Sequence, residues 1–294
     1  MVSWNGPGQP AILGKVTVDL TDTLVEIQRQ RNLAGVRVTL THVVAKAVAM
    51  AIGRVPQLNG RLVWGRFVAN PDVSVSILAA LDGGSDLARI KVQRADMRSL
   101  ADIAGAVEAG LAALRTGADQ RHSAGRGVVE ALPAWLLRPV IRTIGFAASC
   151  LGISVKSAGL EPLPFGSCII SNVGIFGVEE AYIPLMTWSH VPVYICVGAV
   201  RKTPVHHAGR VEIRSVMTLT ATIDHRYVDG AQAAVFGAEI KRLLEDVRPL
   251  MSTPSGTSGS RARRSGEVRQ SGVDGTAPVA ERALAALGVP GPAR

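Results

Sequence analysis

Two carboxylates, an imidazole and a guanidinium fall within one short run, Asp224-His225-Arg226-Tyr227-Val228-Asp229-Gly230. A neutral histidine with a pKa near physiological pH is the usual side chain for taking a proton from a thiol or hydroxyl. Residues 211 to 223 (VEIRSVMTLTATI) read as a strand, and GAQAAVFGAEIKRLLED after the run reads as a helix. An imidazole at such a strand-to-helix turn can face a channel while its backbone is fixed on both sides. The alternative for HxxxDG alone is a polar surface turn in which His225 caps and Asp229-Gly230 reverse the chain. A second polar candidate is Ser171, which read alone is a strand-end hydroxyl bonding the backbone.

Other candidates carry less. His206-His207 is followed by Ala208-Gly209-Arg210 and reads as a hairpin loop; His42 reads as a partly buried structural histidine; His190 can line a channel. Cys168 and Cys196 lie in apolar strands as inert core thiols. No P-loop, no GxGxxG after a strand and no HExxH occurs, which disfavours phosphate transfer, nicotinamide redox chemistry and zincin hydrolysis. No metal site is expected.

The elements that must position these residues are mixed. ILGKVTVDL (12 to 20) alternates as a strand, Thr21 and Asp22 offer N-cap chemistry for a helix stopped at Gly35, and Thr39 opens a helix closed by Pro56. That helix carries Val43, Val44, Ala47, Val48, Ala51 and Ile52 on one face. Short strands follow around 61 to 68 and 72 to 81, then a turn at Asp82-Gly83-Gly84, a strand at 87 to 94 and a helix at 99 to 114. Residues 166 to 175 and 191 to 200 are continuous apolar runs and read as buried strands. Strands and helices without a strict βαβ repeat indicate an α+β fold, a two-layer sandwich with a mixed sheet.

Residues 128 to 155 form an apolar run broken by Pro133 and Pro139, with Arg138 and Arg142 inside it. Those arginines would be costly at bilayer depth. Val129, Leu132, Leu136, Val140 and Ile144 recur at helical spacing, so one or two amphipathic helices are expected. Packing, a lid over a channel beside Ser171 and interfacial membrane contact are the open roles.

Composition bounds the rest. Of 294 residues, 47% are hydrophobic and 19% charged, enough for a large core over residues 1 to 250. After Met251 the chain turns to Ser, Gly, Thr and Arg, so 251 to 294 read as a flexible tail. The net charge of +9 includes +3 from that tail, and aromatics are only 4%. Nucleic-acid binding is therefore disfavoured. Cys150, Cys168 and Cys196 have no paired spacing, and the N-terminus lacks a basic region followed by an apolar run. A reducing, cytoplasmic setting is expected.

D-H-R-x-x-D-G resembles the active-site motif of the acyltransferase component of 2-oxoacid dehydrogenase complexes, whose catalytic domain shares the chloramphenicol acetyltransferase fold. Ser171-Asn172-Val173-Gly174-Ile175-Phe176-Gly177 is similar to that family's I-S-N-x-G-x-F-G segment, and Val55-Pro56-Gln57-Leu58-Asn59 to its V-P-x-L-N. The matches cover most of residues 12 to 250. The resemblance implies His225 as the base that deprotonates an acceptor thiol and Ser171 as the oxyanion donor. Asp229 would order the turn by pairing with an arginine, and Gly230 would permit the close turn; Arg226, Asn172 and Gly174 support the motifs.

The resemblance further implies coenzyme A or its acyl thioester as substrate and no tightly bound cofactor. A lipoyl group would come only from a partner or carrier protein, and the assembly would be a homotrimer or higher multiple with His and Ser from neighbouring subunits. Three departures stand beside it: no D-K-A lipoyl hairpin, Thr187-Trp188-Ser189-His190-Val191-Pro192 where N-P-P-Q is usual, and Leu87-Ala88-Arg89-Ile90-Lys91-Val92 in place of G-L-x-x-P-V. A catalytically silent scaffold that keeps the fold is the competing reading, and a lipid-surface protein a third.

Overall fold

The computed structural model describes residues 10–34, 37–81, 86–115, 143, 145–154, 161–186 and 189–251. The tail from 252 onward, the turn at 82–84 and the apolar face Val129, Leu132, Leu136, Val140 and Ile144 lie outside them.

Strand β1 (Ala11–Asp19) is followed by helices α1 (Thr21–Ala34) and α2 (Leu40–Ile52). A hairpin, β2 (Gly60–Val63) and β3 (Arg66–Ala69), precedes β4 (Val75–Leu81), β5 (Asp86–Val92) and α3 (Leu100–Arg115). The second half holds β6 (Cys168–Asn172), β7 (Val193–His207), β8 (Arg210–Asp224), α4 (Gly230–Glu245) and α5 (Arg248–Met251). Six strands form one sheet in the order β1-β8-β7-β6-β4-β5, with β2-β3 separate. β6 runs parallel to both β4 and β7, while the other pairings are antiparallel. This is the mixed-sheet α+β sandwich the sequence indicates.

The helices cover one face of the sheet. Val43, Val44, Ala47, Val48, Ala51 and Ile52 of α2 are all completely buried, against Ile170, Val193 and Ile195 among others. Fully burying each of the larger side chains contributes about 1.5–3 kcal/mol. α2 is buried beyond that face, and Lys46 is accommodated because its ammonium donates to the carbonyls of Asp96 (2.6 Å) and Arg98 (2.7 Å). The opposite face carries a smaller cluster of Ile169, Leu185, Val191 and Tyr194.

Three local expectations are corrected. β7 does not stop near residue 200 but continues to His207, pairing only with β8 over 201–207. Its outer part is exposed and polar, so no apolar run announced it. His206 and His207 end that strand, and the turn itself is Ala208-Gly209, both at positive φ. The described end of the 128–155 segment was expected beside Ser171. Its one-turn helix Phe146–Cys150 instead packs on the β2–β3 hairpin: Arg61 Nε donates to the Cys150 carbonyl at 2.7 Å, and Cys150 Sγ to the Leu62 carbonyl at 3.3 Å. The segment precedes the start of β6, and the parallel pairing puts that start at the end of the sheet where β8 finishes.

Candidate active site

β8 runs to Asp224, and the next residues turn sharply into α4. The turn is pinned on both sides. Asp224 N–H donates to the Pro192 carbonyl at 2.9 Å, His225 N–H to the Pro10 carbonyl at 2.8 Å, and Tyr227 N–H to the Asp224 carbonyl at 3.1 Å. None of these bonds uses the imidazole, and His225 is exposed. Tyr227 is buried, and its hydroxyl oxygen accepts the Leu62 N–H at 3.2 Å, tying the turn to the hairpin. Burial pushes the Tyr227 phenol up to about 12.

The partner of Arg226 is Asp224. The guanidinium donates through Nε at 2.9 and 3.1 Å and through Nη2 at 2.5 Å, and the Arg226 N–H adds a bond at 3.0 Å. Asp224 is only 2% exposed. The hydrogen bonds to Asp224, with burial acting against them, leave the Arg226 pKa raised. The motif suggests Asp229 as the arginine's partner, but Arg226 pairs with Asp224 instead. Asp229 is the N-cap of α4, its carboxylate accepting the Gln232 N–H at 3.0 Å while Gln232 Oε1 accepts the Asp229 N–H at 3.1 Å. Asp-x-x-Gln is a capping box, and that spacing was the overlooked signal.

His190 is half-buried at φ +55° beside this turn. Its ring lies 5.9 Å from that of Phe146, which is in turn 5.9 Å from Trp64. Burial, then the Arg226 charge, lowers its pKa, with Asp224 opposing. It stands at the His225 end of the sheet.

Ser171 occupies the other end. It pairs with Leu78 on β4 and Cys196 on β7, and Cys196 pairs with Thr220 on β8, four residues before Asp224. With strands about 4.8 Å apart and about 3.3 Å per residue, Ser171 and Asp224 are separated by roughly 16 Å. A base and an oxyanion donor must each come within about 3 Å of the reacting group. One chain does not bring His225 and Ser171 together.

A cavity of about 510 Å³ opens at the Ser171 end, lined by Ser171, Asn172, Thr41, His42, Leu78 and Phe176 among others. Asn172 faces α2, where its Nδ2 donates to Thr41 Oγ1 at 2.9 Å. Gly174 begins a single 3₁₀ turn (Gly174–Phe176) that crosses β7; a Cβ there would lie 2.5 Å from the Gly198 carbonyl oxygen. Gly230, by contrast, is the first helical residue of α4, and a Cβ on it meets nothing within 4 Å. Its expected role in permitting a close turn is therefore corrected. Gly174→Ala should cost about 1–3 kcal/mol through this clash, while Gly230→Ala should be neutral or stabilising by about 0.5–1 kcal/mol; urea denaturation of both checks the contrast.

His42 lies on α2 at the third helical position, 7% exposed, with Nδ1 accepting the Thr39 N–H at 3.2 Å. Burial, then the Arg31 charge, lowers its pKa to about 4. The unfolded chain takes up a proton as pH falls through about 6.5, whereas the folded chain does not until about 4. The stability contributed by the neutral imidazole is thus complete above that window and lost as pH falls through it, by about 3 kcal/mol. His42→Gln should flatten this step in chemical denaturation between pH 7 and 4.

The thiols of Cys150, Cys168 and Cys196 are all buried, and burial raises each pKa. Among the described residues no three His, Cys, Asp or Glu side chains gather as a metal site, and no helix is long and apolar enough to cross a membrane.

Residues 9–127 and 156–252 match the family described as 2-oxoacid dehydrogenases acyltransferase (catalytic domain), and the chain belongs to that family. The unmatched interval is 128–155. The acetyltransferase component of the acetoin cleaving system of Bacillus subtilis is 25% identical over 217 residues, covering 74% of this chain and 44% of that protein. The succinyltransferase component of the 2-oxoglutarate dehydrogenase complex of Sus scrofa is 34% identical over 134 residues, covering 42% and 29%. The chain thus spans less than half the length of these curated relatives.

Among solved structures, a probable dihydrolipoamide acetyltransferase from Listeria monocytogenes 4b F2365 superposes with a TM-score of 0.61 at 21% identity, covering 85% of this chain and 88% of that one. An Azotobacter vinelandii dihydrolipoamide acetyltransferase, studied for the roles of a serine, a histidine and an asparagine in its catalytic mechanism, gives 0.61 at 18% identity, covering 83% and 85%. At these identities the likeness shows the fold.

Proposed function

We propose that the chain transfers an acyl group between a coenzyme A thioester and a thiol of the dihydrolipoamide type, at a site shared by two copies. His225 of one copy takes the proton of the acceptor thiol. The thiolate attacks the thioester carbonyl, and the resulting oxyanion receives a hydrogen bond from Ser171 of the neighbouring copy. Collapse expels the coenzyme A thiolate, which recovers the proton from the imidazolium. Asp224 and Arg226 hold the turn, Asp229 caps the helix behind it, and Asn172 and Gly174 hold the strand end at Ser171.

The observation that carries this reading is the exposed His225 imidazole on a turn whose backbone is bonded on both sides. The roughly 16 Å gap to Ser171 within one chain supports a homotrimer or higher multiple. Coenzyme A acts as substrate in this reading, a lipoyl group reaches the site on a partner or carrier protein, and the setting is the reducing cytoplasm. Purified protein should exchange acetyl groups between acetyl-CoA and dihydrolipoamide. No transfer from acetyl-, octanoyl- or palmitoyl-CoA would leave the chain a silent scaffold of the same fold.

A further inference from the structure

We infer that His42 is a substrate-contacting residue of the Ser171 cavity, its Nε2–H donating to an amide carbonyl on the arm of the acyl-carrying thiol. The inference rests on the acyltransferase reading and deepens it.

Because Nδ1 accepts the Thr39 N–H, a neutral His42 carries its proton on Nε2. No described residue accepts that proton. A buried donor left unpaired costs about 1–3 kcal/mol, so its retention at 7% exposure asks for a partner. His42 lines the cavity, and its nitrogen is not among the polar atoms sealed inside without a partner, as Asn172 Oδ1 is. The nitrogen is therefore reachable from the cavity.

Placement says which part of a ligand arrives there. Successive side chains of a strand point to opposite faces. Asn172 bonds Thr41 on the α2 side, so Ser171 looks to the opposite face. A thioester with its carbonyl at Ser171 would meet His42 with a part removed from the reacting centre. The cavity is lined by the apolar side chains of Ile77, Ala104, Val107 and Leu111, with Glu108, Arg37 and Arg115 also on its wall. An uncharged arm suits the apolar part of that wall, and an imidazole held neutral donates without requiring an anion. Coenzyme A carries amides in its arm, and lipoamide carries one.

Glu and Gln are the side chains that serve a capping box at the third helical position, so His42→Glu and His42→Gln both keep an acceptor for the Thr39 N–H. Only Gln also keeps a donor. Calorimetric binding of coenzyme A and of dihydrolipoamide is measured alongside KM and kcat for each, with 1,3-propanedithiol as the amide-free thiol. His42→Glu should melt below the wild type, because burial disfavours its carboxylate, and should weaken binding of one amide-bearing ligand about tenfold, the loss of roughly one hydrogen bond. His42→Gln should recover most of it, and propanedithiol should distinguish none of the three proteins. Which ligand weakens identifies the source of the amide. Unchanged affinity for both ligands in His42→Glu, or equal losses in Glu and Gln, overturns the inference while transfer by the wild type stands. Binding that follows this pattern in a protein without transfer would uphold the contact and sink the acyltransferase reading. Failure of the wild type to bind either ligand overturns both.

Discussion

His225→Ala and Ser171→Ala chains are each expected to lose transfer, and to regain about a quarter of it when the two are produced together in one assembly. Loss of the base should lower the rate by about 10²–10⁴-fold, and loss of one oxyanion donor by about 10²–10³-fold. The melting temperature should hold in His225→Ala, because every hydrogen bond pinning the turn is made by backbone atoms or by neighbours of the imidazole. Recovery on mixing follows from the sheet register. Ser171 and the end of β8 stand roughly 16 Å apart in one chain, so an active pair needs two copies. In a random mixture, half of the histidine positions and half of the serine positions at each shared site are intact, and the product is about one quarter. Activity of co-produced protein that merely averages the two single variants would refute a site between copies.

The parts of this arrangement legible in the sequence are those governed by periodicity and local chemistry. The alternation before Asp224 and the helical pattern after Gly230 located the turn that carries His225, and the apolar face opened by Thr39 gave α2. Pairings decided by tertiary geometry were not legible. Arg226 had two carboxylates within three residues, and only the turn's path decides for Asp224. The outer half of β7 has no apolar signature because both its faces are exposed there. His42 reads in sequence as an ordinary structural histidine, and it does brace Thr39; its second role depends on the first turn of α2 meeting the end of β6, which no local spacing encodes. The end of the 128–155 segment was misplaced for a related reason. Closeness in sequence to Ser171 counted for less than the direction of β6.

Arg226→Leu should be far more damaging to stability than Asp224→Asn, although the two side chains form one pair. Asp224 is 2% exposed and receives three side-chain contacts from Arg226, besides the Arg226 N–H. Removing the guanidinium leaves a charged carboxylate in the protein with a single backbone donor. Stranding a buried charge costs about 3–5 kcal/mol, and the lower end applies because the departing side chain opens a path for water. Arg226 itself is 44% exposed, so with Asp224→Asn the guanidinium turns to solvent while the neutral amide keeps an acceptor for the Arg226 N–H. That loss should be about 1 kcal/mol. The double variant Asp224→Asn/Arg226→Leu removes the stranded charge and should recover part of the stability lost in Arg226→Leu alone, a coupling that a double-mutant cycle in urea reads directly. Because His225 sits between the two residues, Arg226→Leu should also lower transfer by releasing the turn that aims the imidazole. Equal losses in the two single variants would mean that burial of Asp224 is not what the pair resolves.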